Sequence, residues 1–310
     1  MAAIRSSSSL PNALLLLNKI PGITSFGALA PVKKALDSGK VGHTGTLDKF
    51  AEGLLVILTG KALKLSSFFT NCNKHYEALV RMGAETDTLD PQGAVIAESS
   101  PPSKATLQAA MKRFRGPIMQ KPPAFSAIHL DGKRAYEIAR NGFPVDMPPR
   151  PVTIHELELR SYEPPLARIS VYCSSGTYIR ALARDIALAA GSRAHLAALT
   201  RTRSGPFRLK DALSLKDWEN PNHDEIRGAL RPLDETVFAG LSIPVRHVDE
   251  ETAAAMRLGK APGRLLPPPE AHETQAAIFC GGSFTALIER SRPGPPNQAE
   301  AAGWRYVFVV

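Results

Sequence analysis

Two runs in the middle of the chain, VTIHELELRSY (152–162) and LARISVYC (166–173), constrain the fold most. Both are rich in β-branched and apolar residues, and only a few residues separate them, the signature of an antiparallel strand pair. Similar pieces occur on either side. LLVIL (54–58) reads as a buried strand, followed by a turn at Gly60 and a helix over 61–69. HYEALVRMG (75–83) alternates as a strand does; TDTLDPQG is a turn-rich loop, and AVIAE (94–98) is expected to return as its partner. Ser103 caps a helix with the apolar face Leu107, Met111 and Phe114, and TYIRALARDIALAAG is a helix with Gly191 in its stop position. Strands and helices mixed with hairpin-like pairings predict an α+β fold with a mixed, largely antiparallel central sheet flanked by helices, not a doubly wound one. No internal repeat is visible.

The boundaries follow from composition. Residues 1–12 read as a flexible tail, because Pro11 and Asn12 interrupt a leucine run that Lys19 then ends, which is too short for a secretory leader. The first strand is expected over 13–17. One large domain spans 13–240, with a proline-bounded insertion at about 122–151. Residues 241–310 hold a capped helix (249–258) and the short strands AAIFC, FTALIE and RYVFVV, a small β-rich unit.

Charge and cysteine usage narrow the function. The 38 Lys and Arg against 29 Asp and Glu leave a net charge of +9, and nucleic acid is the first polyanion to consider. The excess is dense in two places. Residues 104–150 carry nine basic against three acidic residues, and residues 180–210 carry seven against Asp185 alone, which reads as phosphate contact. Cys72, Cys173 and Cys280 form no paired motif, so neither a disulfide framework nor a zinc site is expected, and the compartment is reducing. No apolar run approaches the ~20 residues that span a bilayer. GLLVILTGKA lacks the spacing and the hydroxyl residue of a phosphate-binding loop. His223, Asp224 and Glu225 read as a solvated loop rather than a metal site. The chemistry is therefore expected to need no cofactor and no metal, unless the protein only binds.

One carboxylate stands out. In KVGHTGTLDKFAEGLL (40–55), Gly42 and Gly45 bracket His43 and Thr44, and Asp48 follows just before an apolar strand. This stretch resembles the catalytic motif of the TruB branch of pseudouridine synthases, GHTGxLDPxAxGxL. The resemblance continues in order through KHYEALVRMGAETDTLDPQG, QKPPAFSAIHLDGKRAYEIARNG, SSGTYIRALARDI and HLAALTRTRSGPF, covering roughly 13–210. It implies a pseudouridine-synthase core over 13–240, a thumb-like insertion and a small PUA-like RNA-binding domain over 241–310. It also implies isomerisation of uridine 55 in the T loop of tRNA: the base is flipped out, detached from C1′, turned and rejoined through C5.

In that scheme Asp48 is the nucleophile or base at the sugar, already ionised at neutral pH, and Arg180 is the cation that keeps it charged once a nucleotide covers it. The resemblance makes Tyr76 the ring that stacks on the base, an interaction of about 1–3 kcal/mol against the few kcal/mol that flipping costs. Tyr178 is the second active-site tyrosine. His43, presented by its glycines, fills the space left by the flipped nucleotide as a neutral ring. Leu199 lines the base pocket, Asp90 contacts the rearranged loop, and Lys133 and Arg134 contact phosphate.

The sequence departs from the family at Lys19-Ile20-Pro21-Gly22, where the proline is moved by one, at Lys49 in place of proline, and at Glu52 in place of a small residue. A monomer in the cytoplasm, acting on tRNA without a membrane or an obligatory protein partner, is the resulting expectation. A non-catalytic tRNA-folding chaperone and a guide-RNA-dependent synthase are the alternatives.

Overall fold

The computed structural model describes residues 10–125, 147–270, 272–291 and 303–310, together with the backbone of 129–130 and 133–134. The tail residues 1–9 and most of the insertion at 122–151 lie outside the described residues. The strands are β1 (Ala13–Lys19), β2 (Val41–His43), β3 (Glu52–Thr59), β4 (Lys74–Met82), β5 (Ala84–Thr86), β6 (Val95–Glu98), β7 (Gly116–Gln120), β8 (His129–Leu130), β9 (Lys133–Arg134), β10 (Arg150–Glu163), β11 (Leu166–Cys173), β12 (Ala194–Ser204), β13 (Phe207–Arg208), β14 (Arg231–Pro232), β15 (Val245–His247), β16 (Gln275–Cys280), β17 (Ser283–Arg290) and β18 (Trp304–Val309). The α-helices among the described residues are α1 (Ala30–Leu36), α2 (Ser66–Thr70), α3 (Lys104–Lys112), α4 (Ile179–Ala189), α5 (His223–Gly228), α6 (Glu235–Gly240) and α7 (Glu250–Arg257).

The central sheet runs β14-β1-β3-β12-β4-β11-β10-β7, with β2 added to β3 and β13 to β12. Its pairings are antiparallel except for β3 with β12, where Thr200 and Arg201 lie beside Glu52 and Gly53. The expected mixed, largely antiparallel sheet is thus present.

Its two halves are covered differently, for a reason written in their side chains. The unbroken apolar runs of β1 and β3 are buried on both faces: Leu14, Leu16, Leu54 and Val56 enter one core, and Leu15, Leu17, Leu55 and Ile57 another. By contrast β4 alternates. Tyr76, Ala78, Val80 and Met82 join the core under α3 and α4, whereas His75, Glu77 and Leu79 are half-buried and Arg81 exposed on the reverse face. That reverse face of β4, β11 and β10 stays polar and open to water.

β15 to β18 form a separate four-stranded sheet, one strand more than the sequence suggests, because short Val245–His247 adds in parallel to β16. Ala277, Phe279, Leu287 and Phe308 from it pack into the same core as Leu14 and Val56.

Four local expectations are corrected. AVIAE pairs with 84–86 rather than with 75–83, because the ladder edges of β4 are taken by β11 and β12. The 61–69 helix is a 3₁₀ segment (Gly60–Leu65) running into the single turn α2. His223, Asp224 and Glu225 form the first turn of α5, capped by Asn222, instead of a loop. Finally, Pro11 and Asn12 are tied down: Thr59 Oγ1 donates to the Pro11 carbonyl at 2.6 Å, and Lys61 N donates to Asn12 Oδ1 at 2.7 Å.

Candidate active site

The site forms at the parallel β3–β12 junction of the sheet. The GHTGTLD turn leaves β2 with Gly45 at φ +127°, in the region that favours glycine, and delivers Asp48 just ahead of β3. Across from it, α4 begins at Ile179. The apolar face of α4 (Ile179, Leu182, Ala183, Ile186) is buried on the sheet, which fixes where Arg180 starts.

Arg180 is 4% exposed. Its Nε donates to Asp48 Oδ2 at 2.9 Å and its Nη2 to Asp48 Oδ1 at 3.0 Å, a two-pronged pair. The remaining N–H groups reach the carbonyls of Thr88 (2.8 Å) and Phe125 (3.0 Å). A cation in the first turn of a helix faces the positive end of the helix dipole, so this one depends on its carboxylate. Asp90 adds a second negative group: it is buried, its Oδ2 lies 3.8 Å from Arg180 Nη1, and its Oδ1 accepts from Thr88 Oγ1 and Gln92 N. Asp90 thus backs Arg180 from within the protein. The Asp48 side chain, unlike Arg180, is 36% exposed, so the pocket is open to water until something covers it.

Tyr76 and Leu199 are buried in the same core as Leu47, the residue before Asp48. Burial pushes the Tyr76 phenol upward, and the positive charge of the neighbouring Arg201 guanidinium opposes that shift. Tyr178 is the residue before α4; its backbone N donates to Gln120 Oε1 at 2.9 Å and its carbonyl accepts from Gln120 Nε2 at 3.1 Å. His43 is half-buried rather than turned outward, and its Nδ1 is enclosed without a hydrogen-bond partner among the described residues. Burial, and secondarily the nearby Arg201 charge, lower its pKa below the usual histidine value, which favours a neutral ring. Lys133 and Arg134 lie in the β8–β9 hairpin, and their side chains fall outside the described residues.

Two functional candidates escape sequence reasoning. Arg201 is 2% exposed and stands directly opposite Tyr76 in the β12–β4 ladder. It donates to the carbonyls of Leu54 (2.8 Å), Gly45 (3.1 Å) and Thr46 (3.4 Å), pinning the turn that carries Asp48. Gly53 is required beside it, because a Cβ there would lie 2.5 Å from the Arg201 carbonyl oxygen. Strand alternation puts Leu199, Arg201 and Arg203 on one face alike, and only the bulge after Arg201, which appears in the folded ladder, separates the last two. Lys19 is the other. It is fully buried and its Nζ donates to the carbonyls of Ile20 (3.0 Å), Ile23 (2.9 Å) and Ala51 (2.5 Å). Burial brings its pKa down to about 8, against the opposing pull of Asp48. Among the described residues no group of His, Cys, Asp and Glu could hold a metal ion, and no helix is long and apolar enough to cross a membrane.

Known proteins resemble this chain along most of its length. The chain matches the model of the TruB family pseudouridylate synthase N-terminal domain over residues 33–179 and that of the tRNA pseudouridylate synthase B C-terminal domain over 180–237. It is 40% identical to a tRNA pseudouridine synthase B of an Azoarcus species over 279 residues, covering 90% of this chain and 91% of the relative. It is 46% identical to the protein of that name from Bordetella pertussis over 209 residues, covering 66% and 86%. Among solved structures, a chain of a Cbf5-Nop10-Gar1 complex superposes with a TM-score of 0.69 at 26% identity, covering 97% of this chain and 84% of that one. The chain belongs to the TruB family of pseudouridylate synthases, isomerases that act on RNA.

Proposed function

We propose that this protein converts uridine 55 in the T loop of tRNA to pseudouridine, as a monomer in the cytoplasm, with no cofactor, metal or guide RNA. The observation that carries this reading is the Arg180–Asp48 pair: a buried guanidinium holds a partly exposed carboxylate in place, close to the buried Tyr76 ring. The reaction is an internal rearrangement. The N1–C1′ bond breaks, the base turns, a C5–C1′ bond forms, C5 gives up its proton and N1 gains one, so no oxidant or co-reactant is consumed. Asp48 engages the sugar and offsets the positive character that grows at C1′ as the base departs. Covering by RNA removes water from Asp48 and strengthens its hold on Arg180. Tyr76 and Leu199 flank the base, Tyr178 closes the site near α4, and neutral His43 fills the gap left in the loop. The PUA-like unit and the thumb-like insertion, with Lys133 and Arg134, hold the rest of the arm.

The tRNA reading is preferred over a guided synthase because relatives named tRNA pseudouridine synthase B reach 40–46% identity, against 26% for the Cbf5 chain. The test is incubation of unmodified tRNA transcript with purified protein, followed by mapping of pseudouridine. Wild-type protein alone is expected to modify position 55, and Asp48→Ala to bind the transcript yet form no product. Near-normal turnover by Asp48→Ala would end the reading.

A further inference from the structure

Residues 180–210 carry seven cations, and the structure divides them sharply. Four are held internally. Arg180 grips Asp48, Arg184 pairs with Asp185 at 2.8 Å, Arg193 pairs with Glu85 at 3.0 Å, and Arg201 is buried on three carbonyls. The other three, Arg203, Arg208 and Lys210, are exposed and pair with no carboxylate among the described residues. They converge, with His75, Thr202 and Leu209, on one shallow groove of about 620 Å³, wide open to solvent.

Two of the side chains around it are held in place. Arg203 and Arg208 face each other directly in the β12–β13 ladder, where like charges repel. Arg203 is nevertheless fixed: its Nε donates to the Gly205 carbonyl at 2.7 Å, and its guanidinium lies 5.8 Å from the Tyr172 ring centroid. Its Nη groups make no hydrogen bond within the described residues. The floor is fixed as well, since the His75 ring is held between Thr202 Oγ1 (2.6 Å) and Ser170 Oγ (3.0 Å). Among the described residues an acid, Glu77, lies 4.0 Å from His75 Nε2. Two opposed guanidinium forks and a lysine, standing around a largely apolar floor, offer donors to the oxygens of successive phosphates.

Its position decides what it can bind. His75 and Tyr76 are consecutive in β4, so their side chains point to opposite faces of the sheet. A stem-loop whose uridine lies against Tyr76 does not also lie in this groove. We propose that the groove is a second RNA-phosphate site, which grips the sugar-phosphate backbone of the substrate outside the T arm; this rests on the tRNA reading above.

The test compares two RNAs, full-length unmodified tRNA transcript and an isolated T-arm stem-loop, across a salt series. The protein is wild type, the triple variant Arg203→Gln, Arg208→Gln, Lys210→Gln, and the double variant Arg208→Gln, Lys210→Gln, which leaves the Arg203–Gly205 contact intact. For the transcript, the triple variant is expected to raise Kd about tenfold and to flatten the slope of log Kd against log salt by about two to three units, and the double variant by about two. Kd and single-turnover rate on the stem-loop should not change. An unchanged slope with the transcript overturns the proposal, and so does an equal loss on both RNAs, which would move these residues to the T-arm contact. If wild-type protein leaves the uridine of the full transcript unmodified, the proposed function fails, while the transcript slope still reports on the groove.

Discussion

The two faces of the central sheet treat positive charge in opposite ways. On the face of Tyr76, the buried cations Arg180, Arg201 and Lys19 are each held within the protein: Arg180 on Asp48 and two carbonyls, Arg201 and Lys19 on three carbonyls each. On the face of His75, Arg203, Arg208 and Lys210 stand in water with no carboxylate partner among the described residues. A buried charge held this way fixes geometry, because losing any partner leaves an unsatisfied group at a cost of about 1–3 kcal/mol or more. An exposed charge fixes little and instead attracts, over a Debye length of about 8 Å at physiological salt. The contrast separates chemistry from capture: changes on the first face should alter turnover and stability but not salt dependence, and changes on the second should do the reverse.

The largest effect after loss of Asp48 itself is expected from Arg180→Lys. The charge remains, but a lysine does not span Asp48, Thr88 and Phe125 together. Single-turnover product formation should fall at least about 100-fold, while tRNA affinity and its salt slope hold; a loss below threefold would mean the fork does not matter. Next is Tyr76→Phe, which keeps the ring and removes the hydroxyl. The rate should drop about tenfold with Kd unchanged, and an unchanged rate would reduce Tyr76 to a stacking surface. Arg201→Lys should cost about 1–3 kcal/mol of unfolding free energy as the carbonyls of Gly45, Thr46 and Leu54 lose donors, with a several-fold lower rate. Denaturant melts and single-turnover assays on the same preparation check both parts.

The smallest effect concerns pH. His43 titrates below 6.5 in the folded protein, while the unfolded chain takes up its proton near 6.5. The unfolded state therefore binds more protons as pH falls below 6.5, so stability from the neutral ring is present above that value and declines beneath it. NMR titration of the imidazole should give a midpoint below 6.5 that moves upward in Arg201→Gln, because one source of the depression is removed. A midpoint insensitive to Arg201 would leave burial as the sole cause.

The sequence reveals most where one residue type answers one physical demand. Alternation along 75–83 predicts which side chains of β4 are covered, and Ser103 predicts its cap, whose hydroxyl accepts from Thr106 N at 3.1 Å. Asp48 stands out because it is a lone acid in an apolar setting, and its pairing with Arg180 follows from family resemblance. What stays hidden are demands that exist only after the chain has folded. Nothing local tells Arg201, sunk under the loop, from Arg203, two residues on and in water; a bulge between them in the β12–β4 ladder separates their environments. Lys19 looks like the polar end of a strand, yet three carbonyls from two separate turns converge on it. The partner of AVIAE is hidden for the same reason, since ladder edges are allotted by neighbours distant in sequence.

One packing detail reaches beyond catalysis. Phe279, Leu287 and Phe308 seal the underside of the leucines of β1 and β3, the strand pair against which the Asp48 turn is laid. A chain cut ahead of β15 would leave those leucines wet, at roughly 1.5–3 kcal/mol for each large side chain exposed. Shortening the protein from its far end should therefore loosen the reaction centre itself, although no atom of the lost segment touches it in any contact described above.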